Sequence, residues 1–193
     1  MADAVGVVLA AGAGRRYGQP KALVEFDGQL LVDRAVQTLR AGGCHPIVGV
    51  LGAAAAEVRE RARLDNAITV DNPDWDSGMG SSLRTALSST VNLTADAAVI
   101  LLVDTPGITP AAVDRIVGQA GPEALAIATY AGRPGHPVLL GRDHWAAVAA
   151  LAIGDVGARG YLSTRSGEVV KVPCDDIADG ADLDRPNPAQ SSE

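Results

Sequence analysis

Short aliphatic runs alternate with longer amphipathic segments through the first two thirds of the chain, and no other feature limits its possible folds so tightly. Val5–Ala10, Ile47–Leu51, Ala67–Val70, Ala97–Val103 and Leu125–Tyr130 are dominated by Val, Leu, Ile and Ala. Strands covered by helices on both faces have this near-continuous apolar character, whereas a strand with one wet face alternates apolar with polar residues. Between the runs, Leu31–Ala41, Ala53–Arg63, Ser81–Ser89 and Pro110–Gln119 read as helices. In the first of these, Leu31, Ala35, Val36 and Leu39 share a face, and Asp33, Arg34, Gln37 and Arg40 fall largely off it. Thr109-Pro110 supplies a cap followed by proline at the first helical position. Strands alternating with helices predict a three-layer α/β domain, with a mostly parallel twisted sheet and right-handed crossovers.

After Tyr130 the rhythm loosens. Ala131–Pro137 reads as a Gly/Pro loop, followed by a strand at Val138–Leu140 and a helix near His144–Leu151. A glycine-rich stretch, Ile153–Gly160, precedes a short helix and a strand near Glu168–Val172. With 193 residues the chain has one domain's worth of length, so residues 1–186 are expected to form a single domain and 187–193 a flexible tail. Aromatic residues make up only 3% of a chain that is 47% hydrophobic, so its core must be built from Ala, Val, Leu and Ile.

A net charge of −7 argues against a nucleic-acid-binding surface, which carries a basic patch or stripe. It leaves an anionic small substrate open, because a local cluster of Arg and Lys overrides the global field. Cys44 and Cys174 are isolated and form neither a metal motif nor a disulfide framework. With no leader-like segment and no apolar run of about 20 residues, a cytoplasmic protein of a reducing compartment, without a membrane partner, is expected.

Leu9-Ala10-Ala11-Gly12-Ala13-Gly14-Arg15-Arg16-Tyr17-Gly18-Gln19-Pro20-Lys21 follows the first strand, at the edge where open α/β sheets bind ligands. Glycines let backbone N–H groups approach phosphate oxygens, and Arg15, Arg16 and Lys21 add positive charge. A Walker loop is excluded because Lys21 follows Pro20 and precedes Ala22. The dinucleotide fingerprint fails because Tyr17 stands where its third glycine belongs. The bland alternative is a turn that only joins strand to helix.

Asp104 closes the run Ala97–Val103, which puts a carboxylate at the end of a central strand facing the same crevice. There it is suited either to hold Mg²⁺, which bridges one or two carboxylates to substrate phosphates, or to cap the turn before Pro106. Asn72, Asp74 and Trp75 precede Gly78-Met79-Gly80-Ser81-Ser82, where a Gly/Ser stretch opens a helix. Such a stretch offers N–H groups and hydroxyls to a base or phosphate, or it simply caps the helix; Met79 and Trp75 fit a core as well. His136 stands alone in a Gly/Pro loop, and no histidine forms a hydrolase constellation with Ser or Cys.

The segment from Leu9 to Lys21 resembles the signature of the MobA-like nucleotidyltransferases, and within them it is most similar to the molybdenum cofactor cytidylyltransferases. The likeness continues through Asn72–Leu83, Val103–Gly107, Gly135-His136-Pro137, Gly154–Arg159 and Asp182-Leu183-Asp184-Arg185-Pro186. Tyr17 replaces the usual Met, and Thr105 departs from the usual Met or Gln. The resemblance implies a Rossmann-like nucleotidyltransferase fold that transfers CMP from CTP to the phosphate of molybdopterin and releases pyrophosphate. It further implies Arg16, Lys21 and Asp104 as catalytic residues, with Leu9, Ala10, Ala11, Gly12, Gly14, Asn72, Gly80 and Ser81 also binding nucleotide. Asp104 would hold Mg²⁺, with Asp182 or Asp184 as a second ligand or as solvated surface, and Met79, Ser82 and His136 would face the acceptor. In the resembling family the L-A-A-G form goes with CTP and the L-A-G-G form with GTP, which singles out Ala11. A molybdenum hydroxylase apoenzyme is the partner implied for the finished cofactor. Two rivals stay open: another NTP transferase, GTP-dependent or acting on a sugar or alcohol phosphate, and a non-catalytic carrier of the cofactor.

Overall fold

The computed structural model describes residues 3–184; the expected tail at 187–193, and Arg185-Pro186 of the last resemblance block, lie outside them. In chain order the strands are β1 (Ala4–Ala10), β2 (Glu25–Phe26), β3 (Gln29–Leu30), β4 (Ile47–Leu51), β5 (Ile68–Asp71), β6 (Ala97–Leu102), β7 (Leu125–Tyr130), β8 (Arg133–Gly141) and β9 (Val170–Pro173). The helices are α1 (Leu31–Ala41), α2 (Ala55–Arg61), α3 (Met79–Thr90), α4 (Pro110–Val117), α5 (Trp145–Leu151) and α6 (Arg159–Thr164).

Seven strands form one sheet in the order β5-β4-β1-β6-β8-β7-β9. Only β8 runs against its neighbours, pairing antiparallel with both β6 and β7, so the sheet is mostly parallel, as the alternation predicts. The aliphatic runs of the inner strands are continuous because those strands feed two cores, whereas the edge strand β5 is largely exposed. Val5, Val7 and Leu9 of β1 enter one, with Leu83 and Leu87 of α3 and Trp145 and Val148 of α5. Ala4, Val8 and Ala10 enter the other, with Leu31, Val36 and Leu39 of α1 and Val113 and Ile116 of α4. A strand side chain reverses face at every residue, so both sets of positions must be apolar.

The Gly/Pro loop expected at 131–137 is largely strand. Ala131 and Gly132, at φ 48° and 73°, make a two-residue turn between β7 and β8. The Asp175 carboxylate accepts a hydrogen bond from the Ala131 N–H and holds that turn. Residues 133–137 extend past the β6 pairing, which begins at Val138, so Pro134 and Pro137 interrupt no ladder on that side. The same register, Ile100 opposite Val138, carries His136 alongside the end of β6.

Candidate active site

β1 lies between β4 and β6, so the chain leaves it in opposite directions and opens a crevice beyond its carboxyl end. The crevice is a cleft of about 400 Å³ lined by two walls, within the range of small-molecule sites. One wall is Leu9, Ala11–Arg15, Lys21 and Leu102–Asp104; the other is Trp75–Met79, Ser82 and Asp155.

The glycine loop folds as it does for local reasons. Gly14 has φ +61°, and its carbonyl accepts from the N–H groups of Tyr17 and Gly18. A Cβ there would sit 1.8 Å from the Gln19 carbonyl oxygen, so no other residue fits this turn. At Gly12 a Cβ would meet no protein atom, because the position opens onto the cleft. The loop ends in a turn of 3-10 helix, Lys21–Leu23, which buries Ala22 and Leu23 and sends the lysine side chain back across the crevice.

There Lys21 Nζ lies 2.7 Å from Asp104 Oδ2 and 3.6 Å from Asp184 Oδ1, with Lys21 and Asp104 mostly buried. The Asp104 carboxylate accepts no bond from a backbone N–H among the described residues. The turn is held instead by Thr105 Oγ1 donating to the Leu102 carbonyl and by Arg34 Nε donating to the Pro106 carbonyl. The expectation that Asp104 only caps its turn is therefore not what the structure shows.

The C-terminal segment brings two further carboxylates to Asp104. The Leu183 N–H donates to the Asp104 carbonyl and the Asp179 N–H to the Gly107 carbonyl, tying residues 179–183 along the Asp104 loop. Burial raises the Asp182 carboxyl above its usual range, the charges of Asp104 and Asp184 raise it further, and Lys21 opposes them. Among the described residues no three His, Cys, Asp or Glu side chains converge to enclose a metal. The donor set of hard carboxylate oxygens still fits a Mg²⁺ or Mn²⁺ ion, which takes one or two carboxylates and draws its other ligands from water and substrate phosphates.

On the opposite wall three of the expected residues, Asn72, Gly80 and Ser81, are not among those that line the cleft. Asn72 is buried, and its amide donates to Ser81 Oγ at 2.8 Å and Ser82 Oγ at 3.0 Å, while its oxygen accepts from the Asp74 N–H. Ser81 Oγ lies within hydrogen-bonding distance of the Asp74 and Gly78 carbonyls. Gly80 is packed so closely on the 152–153 backbone that a Cβ would lie 2.5 Å from the Ala152 oxygen. Asn72, Gly80 and Ser81 thus stand behind the lining of the wall, and the side chains of Asn72 and Ser81 bond the loop itself. Met79 and Ser82 do line the cleft. Asp155, which sequence reasoning did not single out, lines it too and accepts from the Met79 N–H at the start of α3.

Of the remaining expected residues, Leu9, Ala11, Gly12, Gly14, Lys21 and Asp104 line the cleft, Ala10 is core, and Arg16 is exposed beside Arg15, which reaches the lining. His136 lies at the rim. It is partly buried, and burial pushes its ring down to about 4; Asp104 opposes this shift and Arg159 adds to it. Its carbonyl accepts from the Tyr130 hydroxyl at 2.7 Å.

A doubly covered, mostly parallel sheet with a glycine loop and a Lys–Asp pair at its switch point defines a nucleotidyltransferase-type α/β domain. The chain belongs to the MobA-like NTP transferase domain family, whose model matches residues 6–169. It is 39% identical over 187 residues to a nicotine blue oxidoreductase of Paenarthrobacter nicotinovorans, covering 93% of this chain and 91% of that protein. It is 31% identical over 128 residues to a probable molybdenum cofactor guanylyltransferase of Bacillus cytotoxicus, covering 66% of this chain and 62% of the relative. The crystal structure of the Rv0371c homologue from Mycobacterium sp. strain JC1 superposes with a TM-score of 0.79 at 34% identity, over 94% of this chain and 90% of that one. Rv0371c of Mycobacterium tuberculosis in complex with manganese gives 0.74 at 30% identity, over 89% and 88% of the two chains.

Proposed function

We propose that this protein transfers CMP from CTP to the terminal phosphate of a molybdopterin-type acceptor and releases pyrophosphate. The observation that carries the reading is the Lys21–Asp104 pair set against the open backbone of Gly12–Gly14. An acceptor phosphate oxygen forms a bond to the α-phosphorus as the bond from that phosphorus to the bridging oxygen breaks, and pyrophosphate leaves. Such transfers ask the protein for little covalent chemistry, so positioning and charge neutralisation dominate. The glycine loop N–H groups and Lys21 would hold the triphosphate, and Arg15 and Arg16 border it. A divalent cation held by Asp104 together with Asp182 or Asp184 would neutralise charge between the phosphates. The manganese complex of the 30% identical neighbour supports divalent metal use in this family.

Ala11 supports cytidine. Its methyl is buried in the cleft wall against Gly52, where a Cβ would lie 2.7 Å from it; on this reading it would take up room that a glycine would leave for a larger base. CTP is therefore expected to bind more tightly than GTP at matched Mg²⁺, and Ala11→Gly to narrow the gap; isothermal titration with both nucleotides checks this. A second reading, an oxidoreductase, is favoured by the 39% identity to the nicotine blue enzyme, against a loop that lacks the dinucleotide fingerprint. Pyrophosphate release from each NTP with and without molybdopterin, beside a colour assay with nicotine blue and a reduced nicotinamide, separates the two. Release that needs CTP and molybdopterin supports the transferase; bleaching without release overturns it.

A further inference from the structure

We infer that Lys21 is a placeholder cation: it occupies the carboxylates that receive the divalent metal and yields them only when a triphosphate draws it away. The inference rests on the reading of Asp104 as a metal ligand. Lys21 reaches two carboxylates of the site. It pairs with Asp104 at 2.7 Å and with Asp184 at 3.6 Å. One ammonium against two carboxylates leaves an excess of negative charge that a divalent ion would neutralise better, yet the ammonium stands where that ion would bind.

The same ammonium faces the second anion site. Its backbone is fixed by the turn Lys21–Leu23 with Ala22 and Leu23 buried, and its side chain lines the cleft together with Gly12 and Gly14. A flexible four-carbon stem carrying a point charge can turn from a carboxylate to a phosphate without moving the backbone. Metal and nucleotide binding are thereby coupled. Free metal must displace Lys21 from Asp104, whereas the triphosphate both removes Lys21 and supplies further oxygen ligands, so each tightens the other. The empty site stays charge-paired, and the metal is taken up with its nucleotide.

The test is a Mn²⁺ titration of the protein without nucleotide, followed by electron paramagnetic resonance of free Mn²⁺, on wild type, Lys21→Met, Lys21→Gln, Lys21→Arg and Asp104→Asn. Far-UV circular dichroism checks that each is folded, and the Met and Gln variants stand in for one another. Removing the charge is expected to tighten Mn²⁺ by about tenfold or more, Lys21→Arg to leave it near wild type, and Asp104→Asn to weaken it. If Asp104→Asn weakens binding while neither neutral variant tightens it, Asp104 is a ligand but Lys21 is no competitor, and the inference falls alone. Equal tightening by Lys21→Arg also overturns it, since charge would not be the cause. If Asp104→Asn binds Mn²⁺ as wild type does, the ligand assignment itself fails and the inference goes with it.

Discussion

Lys21 and Asp104 lie 83 positions apart in sequence and meet because one follows the glycine loop after β1 and the other lies two residues past the end of β6. Truncating Lys21 to Ala opens no core cavity but removes a mostly buried charge from beside Asp104, at a cleft open to solvent, so stability should fall by about 1–2 kcal/mol. A charge aimed at a developing phosphate is felt mainly in the transition state, and losing one such group commonly costs about two to three orders of magnitude in turnover. Melting curves and steady-state rates of Lys21→Ala, taken together, check both halves. Asp104→Asn keeps the side chain's shape and loses the charge that attracts a cation. Since the turn is held by Thr105 and Arg34 rather than by the Asp104 carboxylate, the variant should melt close to wild type and lose metal-dependent transfer. Activity titrated against Mg²⁺ reads this; full turnover at low Mg²⁺ would remove Asp104 from the metal.

Two glycines at the scale of the elements behave in opposite ways. Gly80 lies in the first turn of α3, against the 152–153 backbone, where an added methyl meets main-chain atoms at 2.5–2.9 Å that cannot yield without moving a helix. Gly80→Ala should therefore destabilise the fold by about 1–3 kcal/mol, visible as a lower denaturation midpoint. Gly12 opens onto the cleft, so Gly12→Ala should leave the midpoint unchanged and weaken nucleotide binding about tenfold, or 1.4 kcal/mol. Equal loss of stability in both variants would contradict this division between wall and floor. The same contrast shows what a sequence pattern leaves open. A Gly/Ser stretch that opens a helix looks the same whether its glycines face a phosphate or a neighbouring backbone, and here Gly80 faces the backbone.

At the scale of the whole molecule, the rim carries a pH response. His136 titrates near 6.5 in an unfolded chain and is pushed down to about 4 in the fold. Between those values the unfolded chain binds more protons, so the histidine's contribution to stability is present above about 6.5 and is lost as pH falls toward 4. Asp182, whose carboxyl is raised, works in the opposite sense. The His136 part is therefore read as a difference: melting temperature against pH should fall less steeply in His136→Gln than in wild type across that window. Parallel profiles would mean that the ring is not held neutral by its surroundings.

Hydrophobic periodicity alone determined the architecture. Five aliphatic runs became parallel strands of the central sheet and four amphipathic segments became its helices, with ends displaced by a few residues; in the inner strands burial on both faces leaves a clear apolar record, while the edge strand β5 is largely exposed. The glycine loop and Asp104 were also legible, since a strand's carboxyl end is fixed once the strand is found. The short hairpin β2–β3 left a weaker local mark, an Asp27-Gly28 turn with both residues at positive φ, flanked by strands of only two residues each. What sequence could not decide was direction and proximity across the chain. The antiparallel β8 places His136 by β6, and the backbone hydrogen bonds of residues 179–183 place Asp182 and Asp184 beside Asp104. Neither composition nor periodicity carries such pairings. They are made by non-local hydrogen bonds between segments whose local patterns are those of an ordinary loop and an ordinary acidic tail, so only the folded chain brings lysine and carboxylates into one site.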